Sequence, residues 1–473
     1  MATPTVVLLP LWPAGHLLSM IDLGKRLLAH SDGALSLTVL VMQAPTESDR
    51  SEMAGHIRRE EASGLDIRSH VLPAVEPPTD YVGAEEFVSR FIELNAEHVK
   101  AAISDLTCPV AAVVLDFFGT MLLDVCRELS VPAYVYITTD AAFYALLLLL
   151  PALHEEVAVE FEEMDGLVSV PGLPPVPPTC LPVGMMDRKN PNYTWFMYHG
   201  RRFPEADGVI INTAAELEQS VLAAIADDNG PTLYPVGPML SFPRPVEQPH
   251  PCLQWLDAQP PASVVLLCFG SAGYFTTAQA HEVADGLERS GHRFLWVLRG
   301  APAPDTPYIP TDADLGELLP EGFLERTKEK GLVWPTKAPQ KEILAHGAVR
   351  GFVTHCGWNS TLESLWFGVP MVPWPLYAEQ HFNAFTLVAS MGVAVAIEVD
   401  RKRNNFVQAS ELERAVKVLM DTGSDDGRKA RAKATEMKAV CRKAVHEEGG
   451  SSYAALCRLT EHILRKCAVC TTQ

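Results

Sequence analysis

Positive charge is scarce in this chain. Thirty-eight lysines and arginines face 58 aspartates and glutamates, for a formal net charge of −20. A surface of that sign repels phosphodiester backbones and anionic lipid, which excludes nucleic acid and membrane surfaces as partners. Long apolar runs are missing too. The most hydrophobic stretch, residues 141–152 (AAFYALLLLLPA), falls well short of the roughly 20 residues a helix needs to cross a bilayer. The opening MATPTVVLLPLW has no positive n-region and no small-residue cleavage site, and the closing HILRKCAVCTTQ has no anchor, so a cytoplasmic location is expected. Neither opening strand is followed by G-x-G-x-x-G: LWPAGH at 11–16 holds one glycine and FGSAGY at 269–274 holds two. The dinucleotide fingerprint of a nicotinamide oxidoreductase is therefore absent. The ten cysteines are scattered, and Cys467-Ala-Val-Cys470 has no second CxxC to complete a zinc site. Cys126, Cys268, Cys441 and Cys457 lie in apolar runs and read as reduced core residues. Asp312-Ala-Asp314 matches a DxD metal motif but sits in a polar, proline-rich loop, so it reads as structural and no metal is expected.

What is present describes a soluble globular protein, 48% hydrophobic and 20% charged. A chain of 473 residues exceeds one ordinary core, which predicts two domains. The first reads as 1–240, opening with a strand at 5–11, a helix beginning at His16 and a strand at 36–42. The proline-rich stretch PTLYPVGPMLSFPRPVEQPHP places a linker at 241–252. The second domain, 253–450, repeats the pattern with strands at 264–269, 293–298, 349–354 and 393–399, and helices at 277–290 and 408–419. Residues 451–473 form a final amphipathic helix. Alternation of this kind predicts an α/β fold with parallel sheets, whose ligands bind at the carboxyl edge of the strands.

The chemistry concentrates on that edge. Residues 349–354 run into His355, Cys356 and Gly357, and a helix opens at Asn359 or Ser360, with Ser360 and Glu363 spaced as a capping box. A helix start carries unpaired N–H groups and a positive dipole end, which suits a phosphate or diphosphate without a glycine-rich loop. His355, Asn359 and Ser360 add side-chain donors there, and Ser271 offers another after the strand at 264–269. In the first half, His16 follows the first strand at a helix N-terminus, where the dipole favours a neutral imidazole able to accept a proton. Asp116 ends the strand at 110–115, and Thr138 follows the strand at 133–137.

The stretch 337–380 resembles the signature box of plant UDP-dependent glycosyltransferases, glycosyltransferase family 1. Ala338-Pro339-Gln340, His346, Gly351, His355 to Ser360, Glu363, Gly368-Val369-Pro370, Trp374-Pro375 and Glu379-Gln380 carry the resemblance. It implies the GT-B architecture, two Rossmann-like domains facing each other across a cleft, with the last helix crossing back onto the first domain. It further implies that Gln340 and the backbone near Ala338 face uracil and that Glu363 accepts both ribose hydroxyls. His355, Trp358 through its backbone, Asn359, Ser360 and Ser271 would hold the diphosphate, and Glu379 and Gln380 the sugar, with Gln380 favouring glucose. Thr138 maps near the sugar. His16 maps to the general base and Asp116 to its orienting partner, for inverting transfer of glucose from UDP-glucose to a small aromatic hydroxyl compound. Phe117, Phe118, Phe143, Trp195, Phe196 and Tyr377 are candidates for a flat acceptor's pocket. UDP-glucose is a co-substrate, no other cofactor is implied, and a monomer is expected. Two alternatives stay open: C-glycosyl transfer on the same fold, and a non-catalytic nucleotide-sugar or small-molecule binding protein. One departure matters. The family's box opens with tryptophan, and here that residue is Lys337, with Trp334 three residues upstream.

Overall fold

Runs of valine, leucine and alanine without polar alternation build strands buried on both faces. β1 (Thr5–Leu9) and β2 (Ser36–Val41) are buried at every residue. With β3 (Ile67–Val71), β4 (Val110–Asp116), β5 (Ala133–Ile137), β6 (Gly208–Ile211) and β7 (Thr232–Pro235) they form one sheet in the order β3-β2-β1-β4-β5-β6-β7. Every pairing in it is parallel. The apolar run at 141–152 is the heart of a buried helix, Ala141–Glu156. The computed structural model describes residues 2–226, 230–242, 248–303, 309–446 and 448–470. Among these, no helix is long and apolar enough to cross a membrane.

The chain divides into two units, 1–241 with 442–473, and 242–441. Residues 243–247 of the linker expected at 241–252 lie outside the described residues. The last helix, Ser451–Cys470, belongs to the first unit. Its Ala455, Leu456, Leu459 and Ile463 are buried in one core with Val6, Leu17 and Met20.

In the second unit, β8 (Val264–Cys268) and β9 (Arg293–Val297) precede a short antiparallel pair, β10 (Arg299–Pro302) with β11 (Pro310–Asp312). Then come β12 (Gly331–Trp334), β13 (Val349–Thr354) and β14 (Met371–Pro373), giving a parallel sheet in the order β12-β9-β8-β13-β14. Asp312 therefore ends a strand, and Asp314 caps the short helix Leu315–Leu318 through Gly316 N.

Several expectations are corrected. Residues 393–399 are not a strand: β14 is three residues long and engages that segment only at Met371, whose N–H donates to Val393 O and whose carbonyl accepts from Val395 N. The first helix starts at Ala14, capped by Pro13, so His16 is its third residue rather than its first. A helix in the first unit that the charge and hydropathy pattern allows from residue 215 begins only at Gln219 and runs to Ile225.

Each sheet reverses its strand order once. In the first, the chain runs from β1 outward to β2 and β3, then returns to place β4 on the other side of β1. In the second, β8 has β9 on one side and β13 on the other. These reversals open a crevice at the strands' carboxyl ends. His16 follows β1 and Asp116 ends β4, while Gly270 follows β8 and His355 follows β13.

Candidate active site

At the first crevice the two groups meet. His16 Nδ1 lies 2.7 Å from Asp116 Oδ2. The carboxylate is 1% exposed and the imidazole side chain 24% exposed, so the imidazole has access to solvent while its partner does not. The other carboxylate oxygen, Oδ1, accepts from Phe118 N at 3.2 Å and caps the 3-10 turn Phe117–Gly119. Both oxygens are thereby fixed. An acceptor can only face a donor, so Nδ1 carries a proton, and in the neutral imidazole the lone pair is on Nε2. Thr138 Oγ1 is buried 3.5 Å from the same Nδ1.

Aromatic rings line the surroundings of His16. Phe117 stacks near the imidazole at 5.8 Å, and Phe118 lies 6.3 Å away. Phe143 and Phe196 continue the cluster edge-on. Phe143 is 2% exposed and Phe196 4%, so they back the wall and offer a ligand little surface. Trp195 stacks instead on His199, at 5.8 Å. Tyr377 is not in this cluster: it lies in the second unit, its ring 6.2 Å from His355. Sequence reasoning missed Trp12, which packs edge-on against Phe91 at 5.2 Å and Phe87 at 6.3 Å. Its place four residues before His16 was the available signal. A separate cavity of about 300 Å³, lined by residues such as Met42, Arg50, Met53 and Val71, holds none of the predicted site residues.

At the second crevice, the helix following β13 is Trp358–Phe367 and its N-cap is Gly357. The capping box expected from Ser360 and Glu363 does not form. Gln340 Nε2 instead donates to both, at 2.9 Å to Ser360 Oγ and 2.7 Å to Glu363 Oε2. A glycine cap has no side chain to turn back on the helix, so the first-turn amides stay available to an anion. His355 sits beside this turn, 6% exposed, with Nδ1 lacking any hydrogen-bond partner. Burial pulls its pKa down to about 4, so the ring is neutral near pH 7 and offers one N–H rather than a charge. A buried lone pair is better tolerated without a partner than a buried N–H, which assigns the proton to Nε2. That end of the ring is flanked by two glycines. A Cβ on Gly270 (φ +76) or on Gly357 would come within 2.5 and 2.6 Å of Nε2.

The remaining predicted residues of this unit lie around that turn. Trp358 is buried. Ser271, three residues beyond the end of β8, is exposed. Ala338 O accepts from Gln340 N at 2.9 Å, and Trp334 Nε1 donates to Lys337 O at 3.4 Å. Glu379 Oε1 accepts from Asn383 Nδ2 at 3.3 Å. Gln380 is 2% exposed and turns its Oε1 back to Leu376 N and Tyr377 N, at 2.9 and 3.1 Å. Its carbonyl is therefore committed to the backbone, and the side chain faces a ligand only as a donor. Burial raises the Tyr377 phenol to about 12.

Residues 242–426 match the family described as UDP-glucoronosyl and UDP-glucosyl transferase. A protein of Oryza sativa subsp. japonica named malvidin galactosylase is 63% identical over 480 residues, spanning 99% of each chain. The chain belongs to the plant UDP-dependent glycosyltransferases of family 1. Anthocyanidin 3-O-glucosyltransferase 1 of Manihot esculenta is 40% identical to this glycosyltransferase, over 95% of this chain and all of that one. Among solved structures, a UDP-glucosyltransferase from Polygonum tinctorium capable of glucosylating indoxyl superposes with a TM-score of 0.86 at 34% identity, covering 98% and 99% of the two chains. The two Rossmann-type sheets are those of the GT-B class.

The site of this glycosyltransferase yields two predictions. Burial raises Glu363 to about 7, opposed by the nearby Lys341. The carboxylate form, which accepts two hydroxyls at once, therefore grows as pH rises through about 7. Affinity for uridine, which lacks a titrating phosphate, is expected to strengthen up to about tenfold between about pH 6 and 8 by calorimetry. Glu363→Gln should flatten the profile; a flat profile in the unaltered protein would remove Glu363 from the ribose. For Lys337, an alkyl stem presents no π face to a base, and stacking on an aromatic ring is worth about 1–3 kcal/mol. Lys337→Trp is expected to lower the KM for the donor at least several-fold; an unchanged or higher KM contradicts stacking at this residue.

Proposed function

We propose that this glycosyltransferase moves a hexose from a UDP-hexose to a hydroxyl of an anthocyanidin- or flavonoid-type acceptor, with His16 as general base and Asp116 as its orienting partner. The 2.7 Å contact between Nδ1 and a buried carboxylate carries this reading, because it leaves Nε2 as a lone pair at the mouth of an aromatic-lined wall. Nε2 takes the proton of the acceptor hydroxyl as its oxygen attacks the anomeric carbon. The bond from that carbon to the UDP oxygen breaks, and the bonding pair leaves with UDP. Asp116 stabilises the imidazolium that forms. Attack opposite the leaving group inverts an α-linked donor to a β-glycoside. Negative charge grows on the departing diphosphate. The glycine-capped helix start and the neutral His355 N–H meet it there, an arrangement that stabilises a leaving group without a metal. Glu379 and Gln380 hold the hexose. The chain works as a cytoplasmic monomer on this reading.

For the sugar itself, whole-chain similarity to the malvidin galactosylase favours galactose. Glucose is the second reading, favoured by Gln380 and by the name of the Manihot relative. With its carbonyl held by Leu376 N and Tyr377 N, Gln380 can offer the sugar only its amide NH2, which donates equally well to an axial or an equatorial hydroxyl.

Turnover with UDP-galactose and UDP-glucose on an anthocyanidin, in the presence of a chelator, tests the reading. Product is expected without added metal, with galactose preferred. His16→Ala should lower kcat by roughly 10²–10⁴-fold, the usual worth of a general base, while calorimetric UDP affinity stays within about twofold. Equal turnover in the variant contradicts the assignment.

A further inference from the structure

The loop that carries Glu379 and Gln380 is held from outside the signature stretch. Asn405 lies 25 residues beyond Gln380 in sequence, in the polar run RKRNNF. It is 8% exposed and makes three hydrogen bonds to the segment from Trp374 to His381. Its Nδ2 donates to Leu376 O at 2.8 Å. Its Oδ1 faces His381 Nε2 at 2.8 Å. Its backbone carbonyl accepts from Trp374 Nε1 at 2.9 Å. The amide orientation follows from the partners. Leu376 O can only accept, so the NH2 faces it, and His381 must present Nε2–H to the oxygen. A neutral imidazole satisfies this, and burial keeps His381 neutral by pulling its pKa down to about 4.

The chain adopts an uncommon geometry to put Asn405 there. Asn404 (φ 55) and Asn405 (φ 62) are consecutive left-handed residues. The loop closes on itself through Asp400 N to Phe406 O at 2.9 Å and Phe406 N to Asp400 O at 3.2 Å. Asp400 Oδ1 accepts from Arg403 N, and the Arg403 guanidinium lies over the Phe406 ring at 4.2 Å. Left-handed non-glycine residues carry strain and persist where their surroundings fix them. Here the side chain they deliver pins Leu376 O, while Gln380 Oε1 pins Leu376 N. Leu376 is thus gripped at both backbone polar atoms by side chains, just before Ala378, itself left-handed at φ 53.

We infer that Asn405 is the positioning residue of the sugar loop, fixing Leu376 to Gln380 so that Glu379 and Gln380 discriminate between hexoses. The inference rests on the proposal that Glu379 and Gln380 hold the hexose. It predicts a division of labour: the diphosphate turn at residues 355–360 binds UDP without Asn405, and only recognition of the hexose depends on it.

The left-handed φ decides the variants. Alanine would add strain, whereas Asn405→Gly keeps the backbone and removes both side-chain bonds. Asn405→Asp keeps the shape and the acceptor toward His381 but sets an oxygen against Leu376 O. Both variants and Gln380→Ala are assayed with UDP-galactose and UDP-glucose, and their UDP affinity is measured by calorimetry. For Asn405→Gly and Asn405→Asp, the donor KM is expected to rise about tenfold, the scale of one lost hydrogen bond, and the preference between the two hexoses to move toward unity. UDP affinity should stay within about twofold of the unaltered protein. If Gln380→Ala shifts the hexose preference but both Asn405 variants keep it, Asn405 does not position the loop. If the Asn405 variants lose UDP binding in proportion, Asn405 serves the fold at large and the assignment fails. If Gln380→Ala itself leaves the preference intact, the sugar subsite is elsewhere and the underlying reading falls instead.

Discussion

An acidic protein that binds an anion must overcome its own field locally, and on the proposed function the start of the Trp358–Phe367 helix is where this chain does so. With a net charge of −20, no long-range attraction draws a diphosphate in. The compensation is short-range: amides of a helix whose cap is glycine, and a buried imidazole that offers its Nε2–H between two glycines. Because His355 is neutral, such binding would rest on hydrogen bonds with direction rather than on an ion pair. The glycines on either side of its Nε2 are part of the same device, since a side chain on Gly270 or Gly357 would fill the space beside that nitrogen.

Both sheets use their order reversal in the same way. A strand at the reversal ends in or leads into a residue with chemistry, and the neighbouring strand ends in or leads into its complement. In the first unit the pair is an imidazole and a carboxylate, 100 residues apart in sequence and 2.7 Å apart in space. In the second, the glycine turn after β8 makes room for the histidine after β13. On the proposed function, one topology serves proton transfer in one unit and charge stabilisation in the other.

How much of this was legible in the sequence follows from where each signal lies. His16, Asp116 and His355 could be placed because each adjoins an apolar strand, and strand ends in parallel sheets share one edge. The helix at 277–290 was legible from start to finish because Thr276 caps it and Gly291 closes it in a left-handed turn. The Ser360–Glu363 capping box was a local pattern overridden by a distant residue: Gln340 takes both side chains, and Gly357 had already capped the helix. The strand at 393–399 failed for a related reason, since its alternating valines lack a partner strand long enough to pair with. Tyr377 lies in the other unit from the Phe117–Phe196 cluster, a division the sequence does not show because an aromatic residue announces a wall without saying which. Asn405 was not legible at all: its partners are 24 to 31 residues away, and nothing in RKRNNF announces a hydrogen-bonding hub.

The central claim is that the pyrophosphate binds at this glycine-capped helix start beside His355. A crystal structure of the protein with UDP tests it most directly. The account predicts phosphate oxygens within about 2.7–3.2 Å of the first-turn amides and of His355 Nε2. A diphosphate bound elsewhere, with His355 left unengaged, would contradict it.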